Sequence, residues 1–220
     1  MTFSLAEAYG NKDTAYFGGA RRDIVEDFPT GRDLRVLEIG CGTGGTGALA
    51  KSTGRAAYYV GIELDPSAAQ QARTVLDEVV VANVETLDIP FAPASFDGLV
   101  MSEVLEHLID PWSTVKKLAP LLKPGGFFYA SSPNVASLSI LRMLLKNRWD
   151  YVDSGRMDWT HLRWFTPKTY SEMVEAAGFK VVWLKPVAKL TAKQKLVDTL
   201  TLGLFAHLFV GQIFIKAERL

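Results

Sequence analysis

Two carboxylates frame a glycine-rich stretch near the start of the chain. Glu38 stands just ahead of Gly40-Cys41-Gly42-Thr43-Gly44-Gly45-Thr46-Gly47, and Glu63 follows further on. Glycine lets backbone approach a ligand with no intervening Cβ. A helix beginning inside the stretch would add its free N–H groups. The stretch fits GxGxxG from Gly40 and again from Gly42, and an acid about 20 residues on suits a ribose hydroxyl. Those features serve a nicotinamide dinucleotide as well as other adenosine ligands. Glu38 separates them, because a carboxylate there repels a pyrophosphate and attracts an ammonium or a sulfonium. The plainer reading of Glu38 is a carboxylate that pins the loop through backbone N–H groups.

Further candidates lie downstream. His107 and His161 carry the side chain whose free pKa suits proton transfer near neutrality. His161 sits in a stretch from Pro133 to Pro167 that holds three of the five tryptophans together with Arg142, Arg148, Arg156 and Arg163. It is read either as a base or acceptor-binding group, or as a ring that orders its loop. His107 has apolar neighbours and reads better as a packed histidine. Trp149, Tyr151, Arg163 and Trp164, with Asn134 at the start of the stretch, are the candidate acceptor-binding set. Aromatic rings interleaved with arginines stack on a sugar or a planar ring, or simply cover a cleft. Cys41 is rejected as a nucleophile, since no histidine lies near it and a tight turn admits a small side chain. A single cysteine forms no internal disulfide and no cysteine-based zinc cluster, and with no HExxH motif no metal is expected.

The elements that must position these groups follow a strand–helix rhythm. Strands are expected at Leu34–Ile39, Ala57–Glu63, Val79–Ala82, Phe96–Ser102 and Phe127–Ser131. Helices are expected at Asp23–Phe28, Thr46–Ser52, Pro66–Asp77 and Pro111–Leu121. After the tryptophan-rich stretch come a helix Pro167–Ala177, a strand Phe179–Leu184, a helix Ala192–Ala206 and a strand Val210–Ala217. Alternating strands and helices indicate a parallel sheet covered on both faces.

Composition narrows the function. The 220 residues suffice for one α/β domain. Lys and Arg (24) balance Asp and Glu (24), which argues against a nucleic-acid backbone or an anionic membrane as the main partner. The start of the chain reads as no signal peptide. The apolar stretch from Leu196 to Ile215 contains Asp198, His207 and Gln212, so it reads as helix then strand and not as a membrane span. A cytoplasmic protein is expected.

Five motifs then occur in order. Val36-Leu37-Glu38-Ile39-Gly40-Cys41-Gly42-Thr43-Gly44, Val60-Gly61-Ile62-Glu63, Asn83 to Phe91, Ser95-Phe96-Asp97 through Leu108, and Leu122-Lys123-Pro124-Gly125-Gly126 resemble those of class I S-adenosylmethionine-dependent methyltransferases. Ser132-Pro133-Asn134, Arg148 to Tyr151 and Asp158 to Thr166 resemble a bacterial subgroup of small methyltransferases often linked to glycan biosynthesis. The resemblance implies a Rossmann-like three-layer sandwich. Its sheet would have seven mostly parallel strands with the last antiparallel, and an aromatic cap would be inserted between strands five and six. It divides a single domain into a cofactor-covering segment (1–33), a cofactor core (34–133), an acceptor cap (134–167) and returning helices and strands (168–220).

S-adenosylmethionine would be the cofactor and S-adenosylhomocysteine the product. Glu38, Gly40, Cys41, Gly42 and Gly44 would line the methionine half, and Glu63 would hold the ribose. Leu64, Asn83 and Val84 would meet the adenine, Asn83 standing where the family usually has Asp. Tyr16 and Arg21 would close over the cofactor. Ser102 and Glu103 would flank the methyl group, with Glu103, His107 and His161 as catalytic candidates. The acceptor would be a small molecule or glycan methylated on oxygen. The alternatives are an NAD(P)-dependent oxidoreductase and a non-catalytic cofactor-binding module.

Overall fold

The computed structural model describes residues 18–31, 33–186 and 191–220. Seven strands form one sheet: β1 (Arg35–Ile39), β2 (Tyr58–Glu63), β3 (Glu78–Val81), β4 (Phe96–Ser102), β5 (Leu122–Pro133), β6 (Phe179–Pro186) and β7 (Gln212–Arg219). Their order is β3-β2-β1-β4-β5-β7-β6. The β1–β2, β1–β4, β2–β3 and β4–β5 pairs are parallel. β7 is antiparallel to both β5 and β6, as the sequence led us to expect of the last strand. The helices are α1 (Arg22–Val25), α2 (Gly45–Ser52), α3 (Pro66–Ala72), α4 (Pro111–Leu118), α5 (Leu138–Leu145), α6 (Pro167–Ala176) and α7 (Ala192–Leu200).

Successive strand residues point to opposite faces, and both faces are buried. Val36, Val100 and Tyr129 pack with Ile24, Ala50 and Ala72 from α1, α2 and α3. Their neighbours Leu37, Leu99 and Phe128 pack on the other side with Val115 and Leu118 of α4 and Tyr170 and Val174 of α6. Two-sided burial is why the strands read as near-continuous apolar runs. Gly98 is required by this packing, because a Cβ there would stand 2.0 Å from the Phe127 ring.

Side chains set the helix starts. The Asp65 carboxylate accepts from the Ser67 and Ala68 N–H groups, with Pro66 at the first helical position. Asp110 serves α4 in the same way, and Thr166 and Thr169 form a capping box on α6.

Besides shifts of up to three residues at other ends, such as the first helix at Arg22–Val25 in place of Asp23–Phe28, four expectations differ from the fold. α3 ends at Ala72, not Asp77, because the Asp77 carboxylate turns to accept from the Tyr59 N–H at 2.7 Å. β5 starts at Leu122 and takes in the Lys-Pro-Gly-Gly turn across a register shift against β4. α7 stops at Leu200 instead of Ala206, where Gly203 turns left-handed at φ 79° and donates its N–H back to Asp198. Helix α5 lies in the stretch where no regular element was expected. Among the described residues no helix is long and apolar enough to cross a membrane.

Candidate functional site

The strand order reverses at β1, between β2 and β4, and the carboxyl ends of these strands are where ligands bind in such sheets. A cavity of about 780 Å3 opens there. Its size is that of a small-molecule site. Glu38, Gly40, Cys41, Gly42, Thr46, Glu63, Leu64, Asn83, Val84 and Ser102 line it, as do Arg21, Glu103, His107 and His161. Gly44 stands just behind the lining at φ 84°, as the residue that precedes α2. Tyr16 lies outside the described residues. The chain turns sharply at Gly40 (φ 68°), where its N–H bonds the Ile62 carbonyl and a Cβ would stand 2.6 Å from Val104. Only glycine takes that turn without strain.

Glu38 lies near the end of β1 with 3 % of its surface exposed, and among the described residues its Oε2 has no hydrogen-bond partner. Burial pushes its carboxyl up to about 8, Glu63 adds to the rise, and the Tyr59 and Thr46 hydroxyls and Arg21 oppose it. A buried carboxyl with an open oxygen facing a cavity suits a cationic ligand group. The expectation that Glu38 pins the loop through backbone N–H groups fits Glu63 better. Its Oε2 accepts from Gly42 N–H at 2.8 Å, and its Oε1 accepts from Leu64 and Asp65 N–H at 2.8 and 2.9 Å. Oε2 keeps a lone pair for a hydroxyl donor. Burial raises the Glu63 carboxyl against these three donors. Cys41 is buried, and burial with the Glu38 and Glu63 charges pushes its thiol far up. That leaves it no thiolate for nucleophilic chemistry.

Arg21 crosses the cavity floor. Its Nη1 donates to Ser102 and Ser131 Oγ, its other guanidinium nitrogens hold Asp23 at 2.8 and 2.9 Å, and its backbone N–H meets Thr46 Oγ1. Where Asn83 lines the cavity, its Oδ1 accepts from the Glu85 N–H at 2.9 Å. The Lys117 ammonium donates to the Val84, Glu85 and Leu87 carbonyls and fastens this loop. Lys117 is far away in sequence on an exposed-looking helix, so sequence reasoning passed over it.

The other end of the cavity is built around Glu106, which sequence reasoning also missed. It is 1 % exposed, and among the described residues neither carboxylate oxygen has a hydrogen-bond partner. Burial and then the Glu103 charge raise its pKa well above the usual carboxylate range. Glu103 adopts a left-handed backbone at φ 54°, a strained conformation for a side-chain-bearing residue.

The two imidazoles meet edge to face with centroids 4.6 Å apart. Thr160 Oγ1 donates to Asp158 Oδ1 at 2.8 Å and lies 3.1 Å from His107 Nδ1. The hydroxyl has one proton and a carboxylate only accepts, so Nδ1 of His107 is the donor to Thr160. The Arg156 carbonyl, 3.2 Å from His161 Nδ1, imposes the same tautomer on His161. In a neutral ring held this way the lone pair lies on Nε2. Metal-ligating atoms of Glu106, His107 and His161 lie within 4.8 Å of one another, and one carboxylate with two imidazoles is a donor set able to take a divalent cation. The absence of a Cys or HExxH pattern could not reveal it, since the group comes together only through folding.

The expected acceptor-binding set does not line the cavity. Asn134 is buried with its amide donating to the His207 and Val210 carbonyls. Arg163 donates to the Leu162 and Ile109 carbonyls. Trp164 packs against Trp149 at 5.1 Å, Tyr151 at 6.5 Å and His161 at 5.6 Å. Trp164 thus packs against His161, with Trp149 and Tyr151 on Trp164. Gly155, Arg156 and Asp158 are the insertion residues that reach the lining alongside His161, and Phe209 and Gln212 arrive from the far end of the chain.

A profile described as a methyltransferase domain matches residues 15–184. A ubiquinone biosynthesis O-methyltransferase of Neisseria meningitidis serogroup C is 31 % identical over 171 residues, which is 73 % of this chain and 70 % of that protein. A probable S-adenosylmethionine-dependent methyltransferase of Mycolicibacterium smegmatis is 30 % identical over 151 residues, 69 % of this chain and 53 % of that protein. The crystal structure of an S-adenosylmethionine-dependent methyltransferase from Mesorhizobium loti shares the fold with a TM-score of 0.66 at 19 % identity, covering 92 % of this chain and 99 % of that one.

Proposed function

Because the chain belongs to the methyltransferase-domain family and is an S-adenosylmethionine-dependent methyltransferase, we propose that it methylates an oxygen of a small-molecule acceptor. The observation that carries the residue assignment is the open Glu38 oxygen, buried near the end of β1 and facing the cavity. A cofactor with an ammonium and a sulfonium fits that charge. Gly40, Cys41, Gly42 and Arg21 would hold its amino-acid end, Glu63 its ribose, and Leu64, Asn83 and Val84 its adenine. When bound, the cofactor supplies an activated methyl group with a neutral thioether as leaving group.

The chain's own task is alignment and proton handling. Ser102 and Glu103, where β4 ends, line the same cavity as Glu38 and the two histidines. An acceptor hydroxyl bound beside them would meet His161 and His107, whose rings are oriented through Nδ1. Either imidazole can take the hydroxyl proton as the oxygen attacks. Holding the oxygen and the methyl carbon in line within a water-poor cavity supplies most of the remaining acceleration. The carbohydrate version of the acceptor rested on Trp149, Tyr151 and Trp164 stacking on a ring. Those rings pack on one another, so the present reading rests on oxygen chemistry and on the O-methyltransferase relatives.

The test is to incubate the purified chain with methyl-labelled S-adenosylmethionine and a panel of phenols, alcohols, carboxylates, amines and thiols. Label is expected in an ether. Label only in amines or thiols would overturn the oxygen assignment, and failure of S-adenosylhomocysteine to bind would overturn the cavity assignment.

A further inference from the structure

Two segments expose large apolar side chains at the cavity end of the sheet. Helix α5 buries only Ile140, and Leu141, Leu144 and Leu145 stand out into solvent, Leu145 with 79 % of its surface exposed. The turn after α7 exposes Leu200, Leu202, Leu204 and Phe205, Leu202 at 95 %. Single exposed leucines are ordinary, but two such groups together mark an interaction surface. The segments leave the sheet at the same place. α5 follows β5, the turn leads into β7, and Pro133 pairs with Gln212 where the two strands meet. The buried Asn134 amide ties them further by holding the His207 and Val210 carbonyls.

Charge says what covers this face. No Asp or Glu occurs from Asn134 to Trp149, although the whole chain is neutral. Arg142, Lys146 and Arg148 line a hollow of about 360 Å3 beside the α5 leucines, together with Ser139, Met143 and Asp150. Asp150 pairs with Arg148 at 2.7 Å, so Arg142 and Lys146 carry the excess positive charge. Leucines flanked by cations are the pattern of a helix lying in a lipid interface, its apolar side chains below the phosphates and its cations level with them. We propose that α5 and the Leu200–Phe205 turn form a docking face for an anionic lipid surface, with headgroup phosphates received in the Arg142–Lys146 hollow. The balanced total charge, which argued against an anionic membrane, averages over this local asymmetry.

The test is co-sedimentation of the full chain with phosphatidylcholine vesicles, with and without added phosphatidylglycerol. Binding is expected to the anionic vesicles and to weaken as salt is raised. The Arg142→Gln/Lys146→Gln pair should reduce partitioning roughly twentyfold, and the Leu144→Ser/Leu145→Ser and Leu202→Ser/Leu204→Ser pairs at least about tenfold each. Thermal melts of these surface variants should match the parent. Absence of vesicle binding would overturn the proposal, as would equal binding by the parent and all three variants. Light scattering that shows a dimer dissolved by the leucine variants would assign the face to a second copy and overturn it too. The assay uses neither cofactor nor acceptor, so its outcome is independent of the proposed methyl transfer.

Discussion

Cofactor binding should release a proton from Glu38. In the free chain its carboxyl is pushed up to about 8, chiefly by burial, so at pH 7 about 0.9 of the molecules hold that proton. An ammonium or sulfonium beside the open oxygen favours the carboxylate. Binding must therefore expel the proton, and affinity should rise about tenfold per pH unit from pH 6 to 7. Over that interval the ligand's own amine, with an ordinary pKa of about 7.7–8.0, stays charged and contributes little slope. Titration calorimetry with S-adenosylhomocysteine in two buffers of different ionisation enthalpy counts the released protons directly. Glu38→Gln keeps the shape but cannot ionise, so its affinity should be weaker and flat from pH 6 to 7. No proton release by the parent, or the same slope in the variant, would refute the reasoning. The same group acts on stability with a fixed sign. Its folded pKa is raised above the unfolded value, so its contribution is fully present below about pH 4.5 and is lost as pH rises towards 8. The ligand-free chain should melt at lower temperature at pH 8.5 than at pH 6, and Glu38→Gln should shrink that difference.

Other substitutions separate binding from chemistry and from packing. Glu63→Ala should weaken S-adenosylhomocysteine binding by roughly 1.5–3 kcal/mol, the scale of hydrogen bonds to a charged group, and unchanged affinity by calorimetry would remove Glu63 from the ribose. His161→Ala should lower kcat by about 10²–10⁴ with cofactor affinity retained. A drop confined to KM would make His161 a binding group. Gly98→Ala forces a methyl group to 2.0 Å from the Phe127 ring and should cost about 1–3 kcal/mol in urea unfolding. Lys117→Met leaves the Val84, Glu85 and Leu87 carbonyls without their shared donor and should weaken cofactor binding without slowing turnover at saturation.

Local pattern was enough for the part of the cavity built on β1 and β2. The alternation of apolar strands with helices, the glycines at Gly40, Gly42 and Gly44, and the acids at Glu38 and Glu63 all lie within one strand–turn–helix–strand unit. Their geometry follows from short-range rules of turns, strands and caps. The same rules misplaced the ends of α3 and α7, because Asp77 and Gly203 serve contacts that a helical periodicity does not register.

The histidine end of the cavity depended on the tertiary structure. Residue types in the tryptophan-rich stretch suggested which side chains could meet a ligand, but not which way they face. Trp149 and Trp164 turned out to pack on each other, while Arg156, Asp158 and His161 reached the lining. Nothing in the sequence singled out Glu106, which folding buries beside Glu103 and His107. The physical reason is range. A cofactor turn is made by neighbours in the chain, whereas burial, tautomer and pKa depend on what distant segments such as residues 105–107 and 156–161 bring against one another.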